Sequence, residues 1–82
     1  MVKVSGGNGS SFDDAIIISE CDNTEGIRQE YIEVQKRFGS YKLIRQSLLS
    51  ENNKMYDLLE LDIDGEKIKF YFDITDFFGR WE

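Results

Sequence analysis

The sequence contains no histidine, and this absence limits the chemistry that its 82 residues can support. Histidine is the commonest general base in enzymes and the commonest nitrogen ligand for metals. A cysteine nucleophile activated by histidine is excluded as well. Any catalytic or metal site must therefore rely mainly on carboxylates.

Cysteine and long apolar runs are also scarce. A single cysteine, Cys21, excludes an internal disulfide, so folding does not require an oxidising compartment. No stretch approaches the roughly 20 apolar residues of a membrane helix. Residues 1–11 (MVKVSGGNGSS) are rich in glycine and serine, unlike a signal peptide. We therefore expect a cytoplasmic protein with no membrane contact, in which 1–11 form a flexible lead-in and 12–82 a single domain.

Basic residues are in the minority: 10 Lys and Arg stand against 16 Asp and Glu, which gives a formal net charge of -6. Non-specific nucleic-acid binding depends on basic side chains that neutralise phosphates, so a nucleic-acid partner is not expected. A net negative charge favours solubility and attracts basic partners. The content of 40% hydrophobic and 13% aromatic residues is too apolar for a disordered chain and indicates a small globular domain.

One helix is predicted after Cys21. Asp22 and Glu25 have the spacing of a capping box, although Asn23 or Thr24 is an alternative cap. Gly39 is placed to end the helix in a left-handed conformation. The apolar residues between these signals recur at steps of four, three and four, as expected for one face of a helix: Ile27, Tyr31, Val34 and Phe38.

The residues after the helix predict a three-stranded antiparallel meander. Asp64-Gly65 is typical of a two-residue type I′ turn. With the turn there, apolar residues pair on one face of the sheet and opposite charges pair on the other, as in Leu59 with Phe70 and Glu60 with Lys69. Asp57 opposite Phe72 is the one discordant pair on the apolar face.

The preceding strand, Tyr41 to Leu49, has two possible registers. A two- or four-residue loop puts Ile44 and Leu48 on the helix side of the sheet and Arg45 opposite Glu60, whereas a three-residue loop reverses these assignments. We favour the first because it completes a row of alternating charges.

A further strand is predicted before the helix, at Ile16-Ile17-Ile18, because three consecutive β-branched residues favour an extended chain. It is the first strand in chain order. The fold class is therefore α+β, with the order β-α-β-β-β and one amphipathic helix packed on a four-stranded mixed sheet. A right-handed crossover makes the first strand parallel to the second. The first strand lies beside either the second strand or the fourth strand, which is the last strand of the meander, and the sequence does not decide between these positions.

The outer sheet face, opposite the helix, carries an unusual number of large side chains, among them Tyr56, Leu58 and Tyr71. In the favoured register, Tyr41, Leu43 and Leu49 join them. Apolar surface of this size marks an interface, unless another segment of the chain covers it. The candidate covering residues are at the C-terminus: Phe77, Phe78 and Trp81.

We interpret this face as the binding surface of a small non-enzymatic protein–protein interaction module, acting as a homodimer, an adaptor or an inhibitor. Tyr56, Leu58 and Tyr71 are the expected anchors, and Trp81 is expected as a rim or covering residue. No catalytic residue, metal ligand or cofactor is assigned, and no family motif is recognised.

Two other functions remain open. Asp57, Asp73 and Asp76 fall near one end of the predicted sheet, where paired carboxylates support acid–base catalysis or bind a divalent metal. Alternatively, an acidic protein of this kind mimics nucleic acid and blocks a basic nucleic-acid-binding surface.

Overall fold

A computed structural model describes residues 2–78 of the chain. None of its helices within this range is long and apolar enough to cross a membrane. In chain order the elements are β1 (Lys3–Gly6), β2 (Ile16–Ser19), α1 (Asn23–Phe38), β3 (Lys42–Glu51), β4 (Lys54–Ile63) and β5 (Glu66–Asp73).

The α+β class, with one helix and a mixed sheet, is confirmed, but the sheet formed by residues 2–78 has five strands, and the predicted number of four is wrong. Its order is β1-β2-β5-β4-β3. The strand β2 is parallel to β5, with Ile16 beside Phe72, and this settles the position that the sequence left open. All other neighbouring pairs are antiparallel.

The additional strand is β1, which lies in the segment that we expected to be a flexible lead-in. It pairs with β2, so that Val4 lies opposite Ile18. Without β1, β2 would be an edge strand of consecutive isoleucines with unpaired backbone groups. The rest of the segment is also bound to the sheet, since the Tyr71 N–H donates to the Gly9 carbonyl at 2.7 Å.

The β4–β5 hairpin has the predicted register, and the β3–β4 hairpin has it from Arg45 to the turn. Asp64 and Gly65 have φ values of 54° and 89°, as a type I′ turn requires. The Asn52-Asn53 loop also has positive φ at both residues and is two residues long. Arg45 therefore lies opposite Glu60, with 3.6 Å between Nε and Oε2.

One end of β3 differs from the prediction. The register shifts between Leu43 and Arg45, which leaves Ile44 as the extra residue of a β-bulge. The extra residue reverses which β3 side chains before Arg45 lie on the helix side of the sheet and which lie on the outer face. Leu43 therefore pairs with the core residue Leu61 and does not lie on the outer face. Tyr41 also packs against the core. The expectation that Leu43 and Tyr41 extend the outer face is therefore wrong.

The helix α1 begins and ends as predicted, but a different side of it is buried. The Asp22 carboxylate accepts from the Glu25 N–H at 2.8 Å, and the reciprocal bond completes the capping box. Val34 is fully buried, whereas Ile27 is 40% exposed. The reason is Phe77, whose ring lies against Gly26, where any side chain would collide with it. Phe77 thus occupies the core position expected for Ile27.

Candidate functional site: a groove between the helix and strand β3

A groove of about 380 Å³ opens between the first half of α1 and the second half of β3. This volume lies within the range of small-molecule sites. The sheet beneath it contributes one residue of β4, and the turn after β5 closes one side. The lining residues are Asn23, Ile27, Glu30, Gln46, Leu48, Asp57, Ile74, Phe77 and Phe78.

The rim of the groove is apolar and exposed. Leu48 of β3 is 55% exposed, Phe78 is 46% exposed, and Ile27 of α1 is 40% exposed. The backbone N–H of Phe78 donates to the Ile74 carbonyl at 2.9 Å, which fixes the turn that places Phe77 inward and Phe78 at the rim. Three large apolar side chains from separate elements therefore surround one opening.

The floor of the groove is acidic. Glu30 of α1 is 1% exposed and Asp57 of β4 is 4% exposed. Gln46 Nε2 donates to Asp57 Oδ2 at 2.7 Å, and the Tyr31 hydroxyl donates to Gln46 Oε1 at 3.1 Å. The Asp57 carboxylate is thus fixed by a chain of two hydrogen bonds that runs to the protein surface.

Glu30 receives no such hydrogen bond. Neither of its carboxyl oxygens accepts a hydrogen bond from the described residues. Burial and the neighbouring Asp57 carboxylate together raise its pKa to about 10; burial is the larger cause, and Asp57 contributes both as an acceptor for the Glu30 proton and by its negative charge. At neutral pH Glu30 is therefore protonated, and the pair shares one proton and one negative charge.

The pKa of Tyr31 is affected by burial and by the same two acids, Glu30 and Asp57. Burial raises the pKa of its hydroxyl, and the charges of Glu30 and Asp57 add to this effect. The hydroxyl consequently keeps its proton at neutral pH and remains a donor to Gln46.

The sequence contained a signal for one of the two acids. Asp57 was the discordant residue on the apolar face of the predicted hairpin, and the structure places it there, opposite Phe72. Glu30 was missed. Its signal was its position, three residues after Ile27 and four before Val34, which puts a carboxylate inside the apolar stripe of the helix.

The three carboxylates singled out from the sequence do not come together. Asp57 faces the helix, whereas Asp73 pairs with Tyr56 on the outer face, where it accepts from the Thr75 hydroxyl at 2.7 Å. The Asp76 carboxylate accepts from the Glu20 N–H at 2.9 Å. Within residues 2–78, no group of three potential metal ligands is assembled.

The predicted anchors on the outer face are largely covered. Tyr56 is 6% exposed and Leu58 is 8% exposed, while Tyr71 is half-buried. The covering residue is Phe12, whose ring centroid lies 4.9 Å from those of both Tyr56 and Tyr71. Trp81 lies outside the described residues. Phe77 and Phe78 belong to the helix side of the sheet.

Comparison of the chain with known protein families, with curated proteins and with solved structures finds no match. The function must therefore be inferred from the geometry of the groove and the surface around it.

Proposed function

We propose that the protein is a small non-enzymatic interaction module that binds an extended segment of a basic partner protein along strand β3. The observation that carries this proposal is the exposed edge of β3. Nine of its ten residues pair with β4 on one side, and β3 is the last strand of the sheet within residues 2–78. An edge of this kind offers unpaired N–H and C=O groups to an added strand.

The two edge strands of the sheet, β1 and β3, differ in how well they are protected against pairing with a strand of another chain. The other edge strand, β1, has only four residues. In β3, the bulge at Ile44 interrupts the first half, but the pairing from Arg45 to Glu51 is regular. Short strands and bulges discourage strand addition, whereas a regular edge permits it. The open part of β3 therefore includes Gln46 and Leu48, which also line the groove.

Exposed apolar side chains along this edge supply the anchors that backbone pairing alone lacks. Ile44 and Leu48 are 46% and 55% exposed, and Leu43 is 39% exposed. Apolar residues buried in the centre of an interface contribute most of its energy. The net charge of -6 favours a partner with a basic surface and speeds its approach.

The test is a pull-down from native lysate with the tagged protein, its Leu48→Ser variant and its Ile44→Ser variant. Both residues are exposed, so circular dichroism should show that both variants fold. We expect a captured protein that is lost with either substitution. Tyr71→Ser is the matched control, because it alters the outer face that the sequence favoured.

The pattern of loss among the three variants shows whether the partner binds the β3 edge or the outer sheet face. Loss of the partner with Tyr71→Ser alone would move the interface to the outer face and contradict the use of β3. Capture that is unchanged in all three variants would contradict both interfaces. Sedimentation of the wild-type protein identifies self-association, and a dimer that Leu48→Ser dissociates would replace the basic partner with a second copy.

A further inference from the structure

The floor of the groove holds one carboxyl group that receives no hydrogen bond from the described residues. Glu30 is 1% exposed and lines the groove, and the acceptor of its own proton is Asp57, a second acid. Buried polar groups in folded proteins nearly always have partners. A buried side chain that lines a cavity and whose oxygens receive no hydrogen bond indicates that a ligand supplies the missing donors.

The charge of the floor indicates the chemistry of that ligand. The neighbouring Asp57 contributes a carboxylate, and the neutral Gln46 amide donates to it. No lysine or arginine is among the described residues that line the groove. Elsewhere, the buried Glu33 lies within 3.5 Å of Lys36 and within 3.4 Å of Arg37. The groove thus contains a buried acidic pair without a cation from the described residues, whereas Glu33, on the same helix as Glu30, has two.

We propose that the groove between α1 and β3 is a binding site for a small organic cation, in which a protonated amine or guanidinium group is carried on an apolar body. The cationic group lies against Glu30 and Asp57 and donates to their oxygens. The apolar body lies between Ile27, Leu48 and Phe78 at the rim.

The chemistry of the site matches a cation with a single charge. An ammonium group has three donors and no acceptor, and a guanidinium group has five donors. Carboxyl oxygens on the floor accept these bonds, and hydrogen bonds to a charged donor are about twice as strong as neutral ones. The apolar rim gives no favourable contact to a hydrated metal ion, but it covers the hydrocarbon part of an amine.

The experiment is a titration of the 82-residue chain at pH 7, followed by two-dimensional amide NMR. The probes are n-hexylammonium, n-hexanol and n-hexanoate, which share one chain and differ in charge. We expect shifts at Ile27, Leu48 and Phe78, with hexylammonium binding at least tenfold more tightly than hexanol and hexanoate not binding. Equal affinities for the amine and the alcohol would overturn the proposal, as would shifts spread over the acidic surface without saturation.

Three variants assign the binding to the acidic floor. Asp57→Asn removes the charge, and we expect it to reduce the tenfold preference for the amine to less than twofold. If this variant does not fold, Glu30→Gln/Asp57→Asn removes both carboxyls and keeps an amide pair. Glu33→Gln is the control. It also replaces a buried carboxyl with an amide, and Glu33 lies on the same helix as Glu30 but outside the groove. A preference that survives in the folded Asp57 variants would overturn the proposal.

A further probe separates a free amine from a lysine side chain of a partner. Nα-acetyl-lysine N-methylamide carries the same ammonium group with peptide bonds next to it. Saturating shifts with hexylammonium support the site as proposed. Shifts with the lysine derivative alone would overturn it in favour of a partner's side chain. These probes do not pair with β3, so the outcome is independent of the interaction proposed for that edge.

Discussion

Replacing Glu30 with glutamine is expected to stabilise the protein, and the stabilisation should increase with pH. The unfolded chain releases the Glu30 proton near the ordinary pKa of 4.5, whereas the folded protein keeps it up to about pH 10. Between these values the folded state binds one more proton than the unfolded state, so the free energy of unfolding falls as the pH rises. Glutamine has no proton to lose, and it retains an N–H donor for Asp57.

The magnitude follows from the proton linkage. One proton difference changes the free energy of unfolding by about 1.4 kcal/mol per pH unit. From pH 5 to pH 8 the advantage of Glu30→Gln over the wild type should therefore grow by up to about 4 kcal/mol. Relaxation of the site and entry of water reduce this value, and we expect at least about 1 kcal/mol, which shifts the melting temperature of a domain this size by about 4–8 °C.

The assay is urea unfolding of both proteins at pH 5, 6, 7 and 8, monitored by circular dichroism. Comparing the variant with the wild type at each pH cancels the titration of all other groups. Glu66→Gln is the control, because Glu66 is exposed at the start of β5, and its difference from the wild type should stay nearly constant. A Glu30→Gln advantage that does not change between pH 5 and pH 8 would refute the inference that Glu30 is protonated.

Three further substitutions test contacts that hold the fold together. Phe12→Ala should lower the free energy of unfolding by about 2 kcal/mol, because it uncovers Tyr56 and Tyr71; a change below about 0.5 kcal/mol in urea unfolding would show that Phe12 does not cover them. Gly26→Ala should destabilise by about 1–3 kcal/mol although alanine favours helix, since its methyl group meets the Phe77 ring; a more stable variant would contradict the position of Phe77. Asp22→Ala should cost about 1 kcal/mol through loss of the helix cap, and the midpoint of thermal unfolding is the measurement.

Local chemistry explains which parts of the fold were predictable. The β4–β5 register depends on the Asp64-Gly65 turn and on alternating side chains, and a slip by one residue would bury the charges. The cap of α1 depends on two residues three positions apart. Signals of this kind lie within a few residues of the structure that they specify, so the sequence shows them directly.

The features that sequence analysis missed depend on residues far apart in the chain. The rotation of α1 results from Phe77 lying on Gly26, about 50 residues away. The cover of the outer face is Phe12, which meets β4 and β5 from the opposite end of the chain. The bulge at Ile44 has no glycine or proline to mark it. As a result, the outer face was favoured as the interface, while the groove was visible only through the discordant Asp57.

Stability and binding place opposite demands on the acidic floor. A buried carboxyl pair is often no more stable than apolar residues of the same size, so Glu30 and Asp57 do not explain why the protein folds. Substitutions that stabilise a protein while removing a ligand are typical of binding sites.

The exposed edge of β3 and the groove share Leu48 and Gln46, so Leu48→Ser should weaken both proposed interactions. Ile44→Ser should weaken only the pairing along β3, because Ile44 does not line the groove. A partner lost with Ile44→Ser while hexylammonium still binds would therefore show that the two interactions can be separated by mutation.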